Sequence, residues 1–372
     1  MSTSQQDPPP RSRGAGGAGL ARRHARTLQI LVGLLIGGLI LWWTFRGTQW
    51  DKVWLAMRES HLGWLLAAQL MILLSFFVRV QRWSYIVRVA APVSFRRLFN
   101  ATQIGFLANF TLPGRVGELI RAVVLSRRTQ LPFTKCFAFV ALDRVTDLFG
   151  LMVVMLITVV AFRPVEDIRL PSEILETPIP AQAIQSGALV TALVIIALVS
   201  AFVMLYVNKR LMLRISDTLL GVLSQRFAQY VHGMLDNFAD GMHVFRSARD
   251  MSKALAFSLL TWGVGALHFH FLFLAFHLSP PWYVGIAVMA LLSIAIALPG
   301  PPGFVGPFHI AIVAVVLVTM PATELDTARA AAILAHLVNV VGVVAVGLYS
   351  LHNERVGLLE LRREGEEVLA DH

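Results

Sequence analysis

Apolar residues run along this chain in long blocks, near Leu28 to Phe45, Leu62 to Val80, Cys136 to Phe162, Ser186 to Val207, Ala254 to Leu278 and Ala328 to Leu351. Each is close to the roughly 20 residues a helix needs to cross a hydrocarbon core, so the pattern predicts about six full transmembrane helices. Two further apolar stretches are interrupted. Leu98 to Ser126 is broken at Leu112-Pro113-Gly114-Arg115-Val116-Gly117-Glu118, and Tyr283 to Met320 at Leu298-Pro299-Gly300-Pro301-Pro302-Gly303-Phe304-Val305-Gly306. Proline removes a backbone donor and glycine loosens the backbone, so a helix stops at each break. The arms of the first stretch reach only about 21 and 18 Å against a core about 30 Å thick, which predicts a re-entrant hairpin. The arms of the second, Tyr283 to Leu298 and Phe304 to Met320, sit at the lower edge of spanning length and leave eight crossings open.

The order is span, span, hairpin, span, and then the same again. Three full crossings per half are an odd number, so the second half runs inverted relative to the first. Inverted repeats with broken helices at corresponding places are a recurrent transporter architecture, with the site near the midplane. The expected organisation is a disordered basic tail (1–27), a first membrane repeat (28–162) with hairpin 98–126, and an external loop (163–185). A second repeat (186–351) follows, with a cytoplasmic amphipathic segment (208–253) and hairpin 283–320, and then a cytoplasmic tail (352–372). The fold class is an all-α polytopic membrane protein.

Composition agrees, since 56% of residues are hydrophobic and 15% charged, where soluble domains carry about 25% charge. The basic residues set the orientation. With the amino terminus inside, the cytoplasmic side collects Arg11, Arg13, Arg22, Arg23 and Arg26, then Arg79, Arg82, Arg88, Arg96 and Arg97 in the second loop, and the arginines around the first hairpin. The outside keeps Arg46, Lys52, Arg58, Arg163, Arg169 and Arg329. This asymmetry accounts for the net charge of +10 without nucleic acid, and it places both termini in the cytoplasm of a cell whose inner membrane holds the protein. Cys136 is the single cysteine, which leaves no internal disulfide and no cysteine metal cluster.

Candidate chemistry gathers at the first break. Arg115, Glu118 and Arg121 are spaced three apart after Pro113-Gly114, and the third span opens with Asp143, Arg144 and Asp147. Charges at membrane depth cost of order 2.5 to 3.5 kcal/mol each, so they face inward and pair. Three cations and three carboxylates form either a neutral clamp on the hairpin or a headgroup site. In the second reading Arg115, Arg121 and the free amides of a helix start donate to phosphate, and Asn109 and Gln103 line the site. His309 and His336 in the second half suit proton-linked roles or packing; no metal site or cofactor is expected.

At these residues the chain resembles the flippase-like transmembrane domain of the lysylphosphatidylglycerol synthases, also called multiple peptide resistance factors, and their stand-alone relatives. The resemblance rests on Asn109 to Arg121 (NFTLPGRVGELIR), on Leu142-Asp143-Arg144-Val145-Thr146-Asp147-Leu148 with Phe149-Gly150-Leu151, and on the turn containing Pro299, Gly300, Gly303 and Gly306. Here Pro301-Pro302 stands inside that turn and His309 stands where the family carries an acid. The fused members have a soluble aminoacyl-transfer domain after the membrane part, whereas only about twenty residues follow the last span here, so lipid aminoacylation is not expected. The resemblance implies a lipid flippase, not an enzyme, moving a phospholipid or lipid-linked headgroup between leaflets. Its partners are membrane lipids, an anionic phospholipid or a polyprenyl-linked headgroup, and a homo-oligomer is compatible. The alternatives are an enzyme or accessory subunit acting on lipid-linked sugars, with Asp143 or Asp147 as base, and a structural scaffold.

Overall fold

The computed structural model describes residues 31–88, 92–112, 116–164, 166–172, 177–221, 248–297 and 301–370, with a few positions between 225 and 236. The turn residues Pro113, Gly114, Arg115, Pro299 and Gly300, most of segment 222–247 and the amino-terminal tail lie outside the described residues.

The first half contains α1 (Leu31–Phe45), α2 (Trp50–Arg58), α3 (Leu62–Val87), α4 (Phe95–Thr111), α5 (Gly117–Thr129) and α6 (Phe133–Ala161). The second contains α7 (Ala181–Val207), α8 (Lys209–Gly221), α9 (Ala248–Ala275), α10 (Val284–Ala297), α11 (Pro307–Thr319) and α12 (Leu325–Glu354), and α13 (Leu358–Ala370) closes the chain. Among the described residues six helices are long and apolar enough to cross a membrane, or seven if the bent pair α1 and α2 counts as one span. Membership of that set differs from expectation. Residues Pro302–Thr319 qualify, because a 3-10 turn at Pro302–Phe304 lengthens α11, while α1 meets α2 at 86°. The bend follows Gly47, whose φ of 71° turns the chain, and it leaves Trp50 and Trp54 exposed on α2, the position aromatic residues take at a membrane interface.

Several spans depart from their expected ends, α9 for one starting at Ala248 and not Ala254. Helix α7 starts at Ala181, and α3 continues through Val87, so Arg79 and Arg82 belong to a membrane helix and not to the second loop. The apolar face of α3 explains the extension, since Phe76, Val80, Trp83 and Val87 recur at helical spacing and are buried.

The most extensive helix pairing joins α3 to α9, the second span of each half. The amide of His61 donates to the Ala275 carbonyl at 2.8 Å, Trp64 stacks on Phe271 at 5.5 Å, Tyr85 meets Phe257 at 5.5 Å, and Arg88 pairs with Asp250. Positions rising along α3 meet positions falling along α9, so these corresponding spans run antiparallel, as an inverted repeat requires. Other packings exchange likewise: α4 packs on α12 as α10 packs on α6, and α4 on α5 as α10 on α11.

Candidate functional site

The two arms of the first hairpin meet without side chains between them. A Cβ on Gly117 would stand 2.1 Å from the Gly105 carbonyl oxygen, so only glycine admits this approach. The closeness puts Asn109 at the start of α5, where its Oδ1 accepts the Gly117 N–H at 2.7 Å, satisfying a donor that a helix start leaves orphaned. Its Nδ2 donates to Glu118 Oε2 at 3.2 Å. Glu118 in turn pairs with Arg144 on α6 at 2.9 Å.

Deeper in, Arg82 of α3 bridges both aspartates of α6. Its Nε donates to Asp143 Oδ1 at 2.9 Å and its Nη1 to Asp147 Oδ1 at 2.6 Å. Asp143 also accepts from Arg121 Nη1 at 2.7 Å, and Asp147 accepts from Arg79 and Arg144, each at 3.3 Å. The Arg121 guanidinium lies 3.5 Å above the Trp83 ring, a desolvated cation–π contact of about 2 kcal/mol. Ser258 of α9 ties its hydroxyl to the Thr146 carbonyl at 2.7 Å, and Trp262 Nε1 donates to the Asp147 carbonyl at 3.3 Å. The helix carrying both carboxylates is therefore gripped from the opposite half.

The structure thus brings together Asn109, Glu118, Arg121, Asp143, Arg144 and Asp147 as expected, and adds Arg79 and Arg82. Expectation counted those two as loop charges. The described network contains four guanidiniums and three carboxylates. Several buried donors have no partner among the described residues: Arg82 Nη2, Arg121 Nε and Nη2, and Arg144 Nε, with both polar atoms of Gln103. Arg144 and Glu118 are 34% and 30% exposed, whereas Arg82 and Asp143 are buried. The network therefore runs from an open rim to a closed floor.

In the second half, His309 at the start of α11 meets His336 of α12, with Nε2 and Nδ1 3.3 Å apart. Pro301 and Gly306 pack against Gly37 of α1, the Gly37 carbonyl standing 2.7 Å from where a Gly306 Cβ would be. Arg329, expected among the external charges, is buried and closes the end of α1. Its Nε and Nη2 donate to the Thr44 and Arg46 carbonyls at 2.8 Å each, while Asp326 holds its Nη1 at 2.9 Å. A cation there also meets the negative end of the helix dipole. Among the described residues no group of three or more histidine, cysteine, aspartate or glutamate side chains is arranged to hold a metal. An apolar groove of about 270 Å³ runs between α6, α10 and α11, lined by residues such as Met155, Phe162, Leu291 and Val318.

Membrane-crossing helices, two broken hairpins and a buried arginine–carboxylate network define a polytopic α-helical membrane protein built as a repeat. The chain belongs to the family described as the lysylphosphatidylglycerol synthase TM region, which matches residues 30–347. It is similar to a protein named glycosyltransferase AglD from Haloferax volcanii, at 25% identity over 366 residues, covering 93% of this chain and 58% of that protein. It is also similar to UPF0104 membrane protein PH1989 from Pyrococcus horikoshii, at 22% identity over 276 residues, covering 73% of this chain and 80% of that protein.

Proposed function

We propose that this protein moves an anionic lipid, a phospholipid or a lipid-linked headgroup, between the leaflets of the cell's inner membrane, with its amino and carboxyl termini cytoplasmic. The observation that carries the reading is the surplus of buried arginine donors over acceptors in the hairpin network. Unmet guanidinium donors are costly at membrane depth. A phosphate, which accepts several charge-assisted hydrogen bonds, would relieve that cost. Arg121, Arg144 and Arg82 would bind it, with Arg115, outside the described residues, as a further candidate from the sequence. Glu118 and Asn109 at the rim would exchange partners as it enters, and acyl chains would stay in the bilayer or along the apolar groove.

A second reading has one observation in its favour: a relative carries the name glycosyltransferase. There the same carboxylates would serve lipid-linked sugar chemistry, Asp143 or Asp147 acting as general base. In the structure both aspartates are engaged by arginines, so a base role would require one of them to give up an ion pair.

Purified protein in liposomes separates the two, using a headgroup-accessibility assay on a fluorescent anionic phospholipid beside mass spectrometry of the lipids. Movement of chemically unchanged lipid, lost in Arg121→Lys while the protein still accumulates, is the expected result. Lysine keeps the charge but lacks the planar fork and the stacking. A modified lipid whose formation needs Asp143 or Asp147 would overturn it.

A further inference from the structure

Counted from the starts of their helices, Arg82 on α3 and His268 on α9 occupy the same position, as do Arg144 on α6 and His336 on α12, and Asp147 and Asn339 on those same two helices. The contacts repeat with the positions. Arg82 bonds Asp147 in the first half, and in the second His268 Nε2 lies 3.3 Å from Asn339 Nδ2. Arg144 reaches Glu118 at the start of the second hairpin arm, and His336 reaches His309 at the start of its counterpart. Charged groups in one half are replaced at the corresponding places in the other by two histidines, which titrate, and by an asparagine, which does not.

The hydrogen-bond directions around the pair are set. The Gly306 N–H donates to His309 Nδ1 at 3.4 Å, so a neutral His309 carries its proton on Nε2 and points it at His336 Nδ1, 3.3 Å away. That assigns the remaining His336 proton to Nε2, and the Gly303 backbone is a further hydrogen-bond partner of His336. The chain of bonds ties the glycine turn to α12 at both ends. Gly303, Phe304 and Gly306 all have positive φ, at 72°, 56° and 97°, a conformation that is strained for a side chain as bulky as Phe304. Every ring nitrogen lone pair is already accepting, so an incoming proton must displace either the Gly306 N–H or the bond between the rings.

We infer that the His309–His336 pair is a proton-binding site, which takes up one proton and thereby breaks the tie that runs from Gly306 through His309 to α12, leaving the turn held at Gly303 alone. The neighbours leave that charge unbalanced. Phe45 from α1, Phe110 from the first hairpin and Phe308 from the pair's own arm surround the rings. On α12 Arg329, seven positions before His336 in the sequence, is held by Asp326 and the end of α1. His268 of α9 faces Asn339 and the Ala68 carbonyl. Among the described residues no carboxylate contacts either ring. An uptake without a counter-charge is one that a transmembrane proton gradient or an arriving anion can drive.

The inference rests on the transport reading for its purpose, and the experiment has one arm independent of it. Full-length protein in nanodiscs, labelled with nitrogen-15 histidine, is titrated by NMR from about pH 8 down to about pH 3.5, a window that covers the ordinary histidine range and its acid side, where rings without a counter-charge take up a proton. His309 and His336 should titrate together with a total uptake of one proton, and His309→Gln and His336→Gln should each abolish that same uptake. Rings that stay neutral, that titrate independently, or that hold a stoichiometric metal after purification would overturn the assignment. In the second arm, vesicles carry a one-unit pH gradient. One proton per lipid would shift the accumulation ratio of anionic lipid by up to about tenfold, and either glutamine variant should lose that response. Lipid movement indifferent to the gradient in the unmutated protein sinks the coupling and leaves the transport reading standing. Absence of lipid movement with an intact paired titration sinks the transport reading instead.

Discussion

At the scale of single residues, Arg82 and Asp143 decide how the first half holds together. Both are buried, and each serves two partners of opposite charge. Breaking a buried pair by removing one member typically costs about 3–5 kcal/mol, because an uncompensated charge remains. Asp143→Asn strands Arg121 and leaves Arg82 with Asp147 alone, and it should lower the unfolding temperature in detergent clearly. Asp147→Asn should cost less, since Asp147 is 14% exposed whereas Asp143 is fully enclosed. Thermal unfolding of the two variants side by side checks the order; equal losses would mean that depth does not grade the network.

At the scale of elements, the first hairpin closes on a backbone contact, with Gly105 and Gly117 facing each other across α4 and α5. Gly117→Ala must push the arms apart, which also breaks the Asn109 cap and displaces Glu118. The expected outcome is reduced thermal stability together with lost lipid movement, measured on the same preparation. Outside the membrane helices, α13 docks on α5 through Arg127, which bonds Glu360 at 3.0 Å and pairs with Glu364. The Arg127 hydrogen bond, with the Gly357 backbone, holds the Glu360 carboxyl below its usual range. A lowered carboxyl pKa contributes stability that is present above the unfolded value and is lost as pH falls through the folded one. Hydrogen exchange across 358–370 should therefore be slow at neutral pH and rise only on acidification below about pH 4, under the ordinary glutamate range. Exchange that rises between pH 8 and 6 would assign the docking to another group.

At the scale of the whole molecule, the antiparallel contact of α3 with α9 and the arginine asymmetry lead to one topology. Cysteines introduced at Ser172 and Thr323 should label from outside intact cells, and one at Ser224 should be protected. The native Cys136 is buried and free, which keeps the background low. External labelling at Ser224 would reverse the proposed orientation.

The number of long apolar helices, the two broken segments and the match between halves were legible in the sequence, because lipid imposes length and apolarity on each span independently of its neighbours. Most of the charged cluster was legible too, since ionisable residues at membrane depth must find one another. Arg79 and Arg82 were not. A hydropathy boundary stops where charge begins, and only the α6 carboxylates, more than sixty positions away, show that α3 carries its arginines inward. Arg329 escaped for the same reason, as its partners are backbone carbonyls at the end of α1. The register that sets His309 against His336, and their halves against the charged pair of the first repeat, was decided by tertiary packing alone. Sequence spacing places residues along a helix, whereas glycine contacts and helix crossings choose which faces meet.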